Sequence, residues 1–141
     1  RAHPYAPRVT FLPFISNRTD IADLLAALDL YVAPGRVETF GLSSLEALAS
    51  GTPVVIPDVG GARQVVRSDI GGRIVARTPE AFATALTALL ASPPDPAAVR
   101  ASVAPFTWAV NTERLHGFLT RLVAERRYPS VAGGTTGTPH R

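Results

Sequence analysis

Two glutamates separated by seven residues, Glu38 and Glu46, have the types and spacing best suited to chemistry in this 141-residue chain. Carboxylates accept hydrogen bonds from hydroxyl groups, which sugars and ribose present in pairs. We therefore expect both side chains to face one cleft and to bind a hydroxyl-rich ligand. Taken alone, Glu38 is more typical of a solvated loop acid, and Glu46 of an exposed helical position.

The loop from Pro34 to Gly41 connects a short apolar run to a predicted helix. Its two glycines permit close approach or unusual backbone angles, and it leads into the helix through 40–43. N–H groups at a helix N-terminus bind phosphate well because the helix dipole adds to their attraction. By itself, such a junction is more often a structural turn, so the loop indicates a diphosphate site only together with the glutamates.

These residues are positioned by alternating strand-like and helix-like segments. The predicted strands are Val9–Ile15, Leu30–Ala33, Val54–Ile56 and Arg73–Ala76. One predicted helix follows the N-cap Asn17, and three more cover 42–50, 62–67 and 82–91. Two further helices are predicted to begin at Asp95-Pro96 and at Thr107. The alternation predicts an α/β fold, a Rossmann-like parallel sheet with flanking helices.

The apolar spacing also predicts which side chains are buried. In helix 82–91 the predicted buried side consists of Phe82, Leu86, Leu89 and Leu90. Trp108 is expected to pack the last helix onto the core. The segment 129–141, rich in Gly and Thr, is predicted to be a disordered tail after a domain at 1–128.

Composition limits the classes of function. The chain has no cysteine and only three dispersed histidines, so we expect no disulfide and no bound metal. No apolar stretch reaches membrane-spanning length, which indicates a cytoplasmic protein. The fourteen basic residues are all arginine and are scattered, so nucleic-acid binding, which would weaken steeply with salt, is not expected. Because the first residue is Arg1, we expect a piece of a longer protein.

The segment 38–55 resembles the E-x7-E signature of the retaining GT-B glycosyltransferases of family 4, also called group 1. The F-G-L, E-A and A-x-G-T-P-V-V elements occur in order, and Asp58-Val59-Gly60-Gly61 follows them. The resemblance extends from about Val9 to Gly72, and more loosely to the last helix. It implies part of the C-terminal nucleotide-sugar-binding domain of a GT-B fold, without its N-terminal part or the acceptor domain.

The resemblance also implies roles for individual residues. The implied donor-binding residues are Glu38, Thr39, Phe40, Gly41, Leu42, Ser43 and Glu46. Glu38, in the catalytic site, would contact hydroxyls of the donor sugar, and Glu46 would accept both ribose hydroxyls. The backbone at 40–42 would contact the sugar and the diphosphate, and Ser43 would add a phosphate contact. Neither glutamate is a nucleophile in this scheme, which uses no metal and no cofactor besides the nucleotide-sugar substrate.

The implied reaction is transfer of a sugar from a nucleotide sugar to a sugar, lipid or small-molecule acceptor. GDP-mannose, which would donate mannose, is the expected donor, and a UDP-sugar is the second choice. The missing N-terminal domain would bind that acceptor, so we expect the chain alone to be inactive. The full-length protein would be cytoplasmic or peripheral at the inner face of the membrane. The alternative is a non-catalytic or degenerate nucleotide-binding module, or one that self-associates as a homodimer through surfaces left bare.

Overall fold

The computed structural model describes residues 4–126 and contains one parallel sheet of three strands in that range. These are β1 (Tyr31–Val32), β2 (Val54–Pro57) and β3 (Gly72–Val75), in the order β1-β2-β3. All four residues of the central strand β2 are buried, as a strand covered on both faces requires. The predicted parallel sheet with flanking helices is confirmed.

Six α-helices accompany this sheet in the described part of the chain. They are α1 (Arg18–Ala26), α2 (Leu42–Ala49), α3 (Ala62–Val65), α4 (Pro79–Ala91), α5 (Pro96–Ser102) and α6 (Trp108–Arg126), and a 3-10 helix covers Ala6–Arg8. The predicted start signals are confirmed. The side chains of Asn17, Thr78 and Asp95 each accept a hydrogen bond from a backbone N–H of the first turn of α1, α4 and α5.

The core lies between the sheet and helices on its faces. Val55 of β2 packs with Ala85 and Leu89 of α4, and the partly buried Phe82 and Leu86 extend this cluster. Leu90, predicted to be buried, is 57% exposed. It lies next to Leu89 in sequence, and one residue turns a helix by about 100°, so only one of the two can face the sheet.

The predicted strand Val9–Ile15 is wrong. These residues form neither helix nor strand, and the side chains of Phe11 and Phe14 are 90% and 93% exposed. β-branched and aromatic residues favour extended backbone, but a strand also needs a paired neighbour. In the described residues the sheet consists of β1, β2 and β3, and this segment pairs with none of them.

The chain divides into two compact units, Arg1–Ala104 and Pro105–Arg141. The second unit contains α6, where Thr107 Oγ1 accepts from the Val110 N–H. Trp108 is 83% exposed, and the residues three and four positions later are the polar Asn111 and Thr112, so its own helix offers no apolar neighbour there. Its packing onto the core would be a contact between the two units and stays a prediction. The predicted tail 129–141 and the boundary at 128 lie outside the described residues. No helix within 4–126 is long and apolar enough to cross a membrane.

A buried threonine connects the end of α1 to the start of β2. Thr52, 1% exposed, donates its hydroxyl to the carbonyl of Leu25. We expect Thr52→Val to lower the free energy of unfolding by about 1–2 kcal/mol, because a buried hydrogen bond is lost at constant volume. Urea denaturation measures the change. Thr84→Val is the control, because the Thr84 hydroxyl is exposed and donates to the Glu80 carbonyl. It should change the free energy of unfolding by less than about 0.5 kcal/mol. Equal losses would contradict the role of Thr52.

Candidate active site

The predicted site loop begins at the carboxyl end of β1, beside the carboxyl end of β2. The Ala33 N–H donates to the Val55 carbonyl, so β1 stays in register up to the start of the loop. Arg77, which follows β3, donates from Nε to the Pro34 carbonyl at 3.3 Å. Ligands of open parallel sheets bind outside the carboxyl ends of the strands, and this loop lies there.

The loop ends at the N-terminus of α2, which no side chain caps. Gly41 is the N-cap residue and adopts the left-handed region with φ +91°, where L side chains are strained. Its carbonyl accepts the first helical bond, from the Leu45 N–H at 2.9 Å. The N–H groups of Leu42 and Ser43 precede that bond and have no acceptor within the helix. This helix end is therefore suited to an anion.

Gly60 and Gly61, in the loop between β2 and α3, contact the backbone of the turn that carries Glu38. A Cβ at Gly60 would lie 1.9 Å from the Glu38 carbonyl oxygen, and one at Gly61 would lie 2.4 Å from the Phe40 carbonyl oxygen. Both distances are far below contact distance, so only glycine fits at either position. In the sequence this pair is part of the Asp58-Val59-Gly60-Gly61 element, and its spacing from Glu38 gave no signal of contact.

A small cleft, open to solvent, lies between the two loops. Its walls include Gly35, Val37, Glu38, Gly41, Ser44 and Pro57. Two predicted site residues, Glu38 and Gly41, thus line it. The hydroxyl-bearing side chain on its wall is Ser44, which is buried, whereas the predicted Ser43 is exposed. The signal available in sequence was the spacing of Ser44 from Leu48, which places both on the buried side of α2.

The expectation that both glutamates face one cleft is not met by this cleft, because Glu46 is not among its lining residues. Glu46 lies on the exposed side of α2. Leu42 and Ser43 precede it by four and three residues, a spacing that puts all three on one helix face. Glu46 is exposed because the opposite side of α2, with Ser44, Ala47 and Leu48, is buried. The structure therefore separates a cleft-facing carboxylate from one on the outer face of α2.

The electrostatics of the site include one ion pair that sequence reasoning missed. Arg63 donates from Nε to both Asp58 carboxylate oxygens, at 2.9 and 3.1 Å. These hydrogen bonds hold the pKa of Asp58 below its ordinary value. The carboxylate of Glu38 accepts from the Thr39 N–H at 2.8 Å. Within 4–126, no three His, Asp or Glu side chains form a group that could hold a metal ion.

The parallel sheet, its flanking helices and the cleft at the strand ends define the Rossmann-like fold of GT-B proteins. The family model for glycosyl transferases group 1 matches residues 1–92. This chain belongs to that family.

Similar proteins of named function support the same family. The chain is 38% identical over 126 residues to D-inositol 3-phosphate glycosyltransferase of Mycolicibacterium gilvum, covering 86% of this chain and 28% of that protein. It is 40% identical over 85 residues to a GDP-mannose-dependent alpha-(1-6)-phosphatidylinositol dimannoside mannosyltransferase of Mycobacterium tuberculosis, covering 60% and 22%. Sucrose-phosphate synthase of Thermosynechococcus elongatus superposes with a TM-score of 0.69 at 29% identity, covering 85% and 31%. The chain thus spans less than a third of each relative.

The glycine contact with the Glu38 turn gives a test of the site's construction. We expect Gly60→Ala to lower the free energy of unfolding by about 1–3 kcal/mol, because the new methyl group would overlap the Glu38 carbonyl. Gly35→Ala is the control, since its Cβ would meet only the Val37 carbonyl at an ordinary 3.7 Å. Urea denaturation of both variants measures the difference. A Gly60→Ala protein as stable as Gly35→Ala would contradict the close packing.

Proposed function

We propose that this chain binds the nucleotide-sugar donor of a retaining glycosyltransferase and that a further domain binds the acceptor. The observation that carries the proposal is the cleft at the carboxyl ends of β1 and β2, with Glu38 in its wall and the uncapped N-terminus of α2 at its edge. A sugar attached to a diphosphate needs both parts, an acceptor of hydroxyl hydrogen bonds and a set of anion-binding donors. The two are adjacent here.

The N-terminus of α2 would bind the diphosphate. Its unpaired N–H groups at Leu42 and Ser43 supply donors, and the helix dipole adds about half a positive charge at that end. In the reaction the bond between the anomeric carbon and the diphosphate breaks, so negative charge grows on the diphosphate. Donors already fixed in place stabilise that charge without reorganising, which lowers the barrier with no metal ion.

Glu46 would bind the ribose along the outer face of α2. A helix rises 1.5 Å per residue, so Glu46 lies about 6 Å along the axis from Leu42. A nucleoside diphosphate laid along this face would meet the N–H groups with its phosphates and the carboxylate with its ribose. One carboxylate can accept both ribose hydroxyls, one on each oxygen. The exposed position of Glu46, outside the cleft, is consistent with this role.

Glu38 would bind hydroxyls of the donor sugar inside the cleft. Its carboxylate already accepts from the Thr39 N–H, which leaves lone pairs for a ligand. Transfer with retention would follow a front-face route, so Glu38 would orient the sugar and form no covalent bond. We propose GDP-mannose as donor, with support from the mycobacterial relative named GDP-mannose-dependent. A UDP-sugar is the second choice.

A second candidate function is self-association without catalysis. The observation that favours it is the exposed apolar segment with Val9, Phe11, Leu12 and Phe14 outside the sheet. Exposed apolar groups of this size favour association. Sedimentation equilibrium distinguishes the two functions, because a self-associating module dimerises without regard to nucleotide sugars and keeps its dimerisation constant when Glu46 is replaced.

Replacing Glu46 tests the ribose site. We expect Glu46→Gln to weaken binding of the preferred nucleoside diphosphate roughly 10- to 100-fold, because two charge-assisted hydrogen bonds become weaker or are lost. Ligand-observed NMR against UDP, GDP, ADP and their sugar conjugates measures the affinities. Glu113→Gln, a change of another helical glutamate on α6, is the control. Equal affinities for Glu46→Gln and the wild type would exclude this role for Glu46.

Replacing Glu38 tests the sugar site separately. We expect Glu38→Gln to bind the nucleoside diphosphate as the wild type does and to bind the nucleotide sugar roughly tenfold more weakly, because only the sugar meets this carboxylate. The same NMR titration, run with matched pairs of ligands, gives both constants. A parallel loss for both ligands would show that Glu38 acts on the nucleotide or on the loop instead.

A further inference from the structure

The loop between β2 and α3 is closed by an ion pair. Asp58 directly follows β2, and Arg63 is the second residue of α3. The guanidinium contacts both carboxylate oxygens, through Nε at 2.9 and 3.1 Å and through Nη2 on Oδ2. The two side chains therefore bridge the ends of a segment whose middle is Gly60-Gly61.

The same segment forms a wall of the cleft and supports the turn of Glu38. Pro57 and Val59 line the cleft beside Glu38. The α-carbons of the two glycines pack on the main chain of 38–40 with no room for a side chain. Because this contact is between two backbones, a shift of the glycine loop moves the main chain of Glu38 and cannot be absorbed by a rotamer change.

Other bonds in the loop are local. The Val59 N–H donates to the Pro57 carbonyl at 2.9 Å, and the Ala62 N–H donates to the Val59 carbonyl at 3.1 Å. Each fixes one turn and leaves the direction of the whole loop open. The Asp58–Arg63 pair joins the middle residue of the first turn to the residue that follows the second, and its forked geometry fixes direction as well as distance.

From these contacts we infer that Asp58 and Arg63 are positioning residues that hold the Gly60-Gly61 loop against the turn of Glu38 and thereby set the binding of the donor sugar. This inference rests on the proposed function. The two side chains are 48% and 77% exposed, and exposed ion pairs contribute little to global stability. Their effect is therefore on the local geometry of the cleft. The hydrogen bonds from Arg63 lower the pKa of Asp58.

The first experiment needs no ligand. In ¹H–¹⁵N spectra, Asp58→Asn and Arg63→Lys should shift the amide signals of Thr39 and Phe40, which lie across the glycine contact. Asp69→Asn is the matched control, because Asp69 forms an exposed pair with Arg73 at 3.7 Å. Asp69 precedes β3, so it lies at the amino-terminal ends of the strands, whereas the site lies at their carboxyl ends. Unchanged signals at Thr39 and Phe40 in both variants would overturn the inference, whatever the chain binds.

The second experiment measures the sugar's share of binding. We expect Asp58→Asn to reduce the ratio of nucleotide-sugar affinity to nucleoside-diphosphate affinity roughly two- to fivefold, with the nucleoside diphosphate itself unaffected. The double variant Asp58→Asn/Arg63→Gln should lose no more than either single variant, since one interaction is removed once. Asp69→Asn should keep the wild-type ratio.

The outcomes separate the inference from the proposed function. A wild-type chain that binds a nucleotide sugar, with an unchanged ratio in Asp58→Asn, would overturn the inference alone. Equal loss for both ligands would also overturn it, because the pair would then act on the nucleotide. A wild-type chain that binds no nucleotide sugar would overturn the proposed function and the sugar-binding part of the inference, while shifted amide signals would still support the positioning contact.

Discussion

The contact between the main chains of Gly60-Gly61 and of 38–40 is the constraint on which the cleft depends. Two loops from neighbouring strand ends approach so closely that a single methyl group would separate them. The approach fixes the turn of Glu38 before any ligand arrives. Residues after β2 thus support residues after β1.

The sheet that positions these two loops is built from short strands. β1 has only two residues and β2 has four, yet both end at the same edge because their register pairs Tyr31 with Val54. Thr52 and the close approach of Gly72 to the Val54 carbonyl hold β2 from its start. A short parallel ladder, buried along β2, therefore carries an exposed site, and binding residues can be polar without weakening the core.

Local structure was largely predictable because its causes are local. Caps such as Asn17 and Thr78 satisfy backbone groups two or three residues away, so the helix starts followed from neighbouring residues. The strand predicted at Val9–Ile15 failed because pairing depends on another segment. The prediction that Leu90 is buried failed for a related reason, since periodicity marks an apolar stripe but a packing partner decides which residues of it are covered.

The sequence by itself determined the α/β class, the order of the elements from α1 onward and the motif that joins Glu38 to Glu46, because spacing along one loop and one helix is set by the chain. Only the tertiary structure decided which of those residues share a cleft. It turned Ser44 inward and Glu46 outward, and it brought Gly60 against Glu38. Such contacts join segments that are distant in sequence, and they form only when the sheet brings two strand ends to one edge.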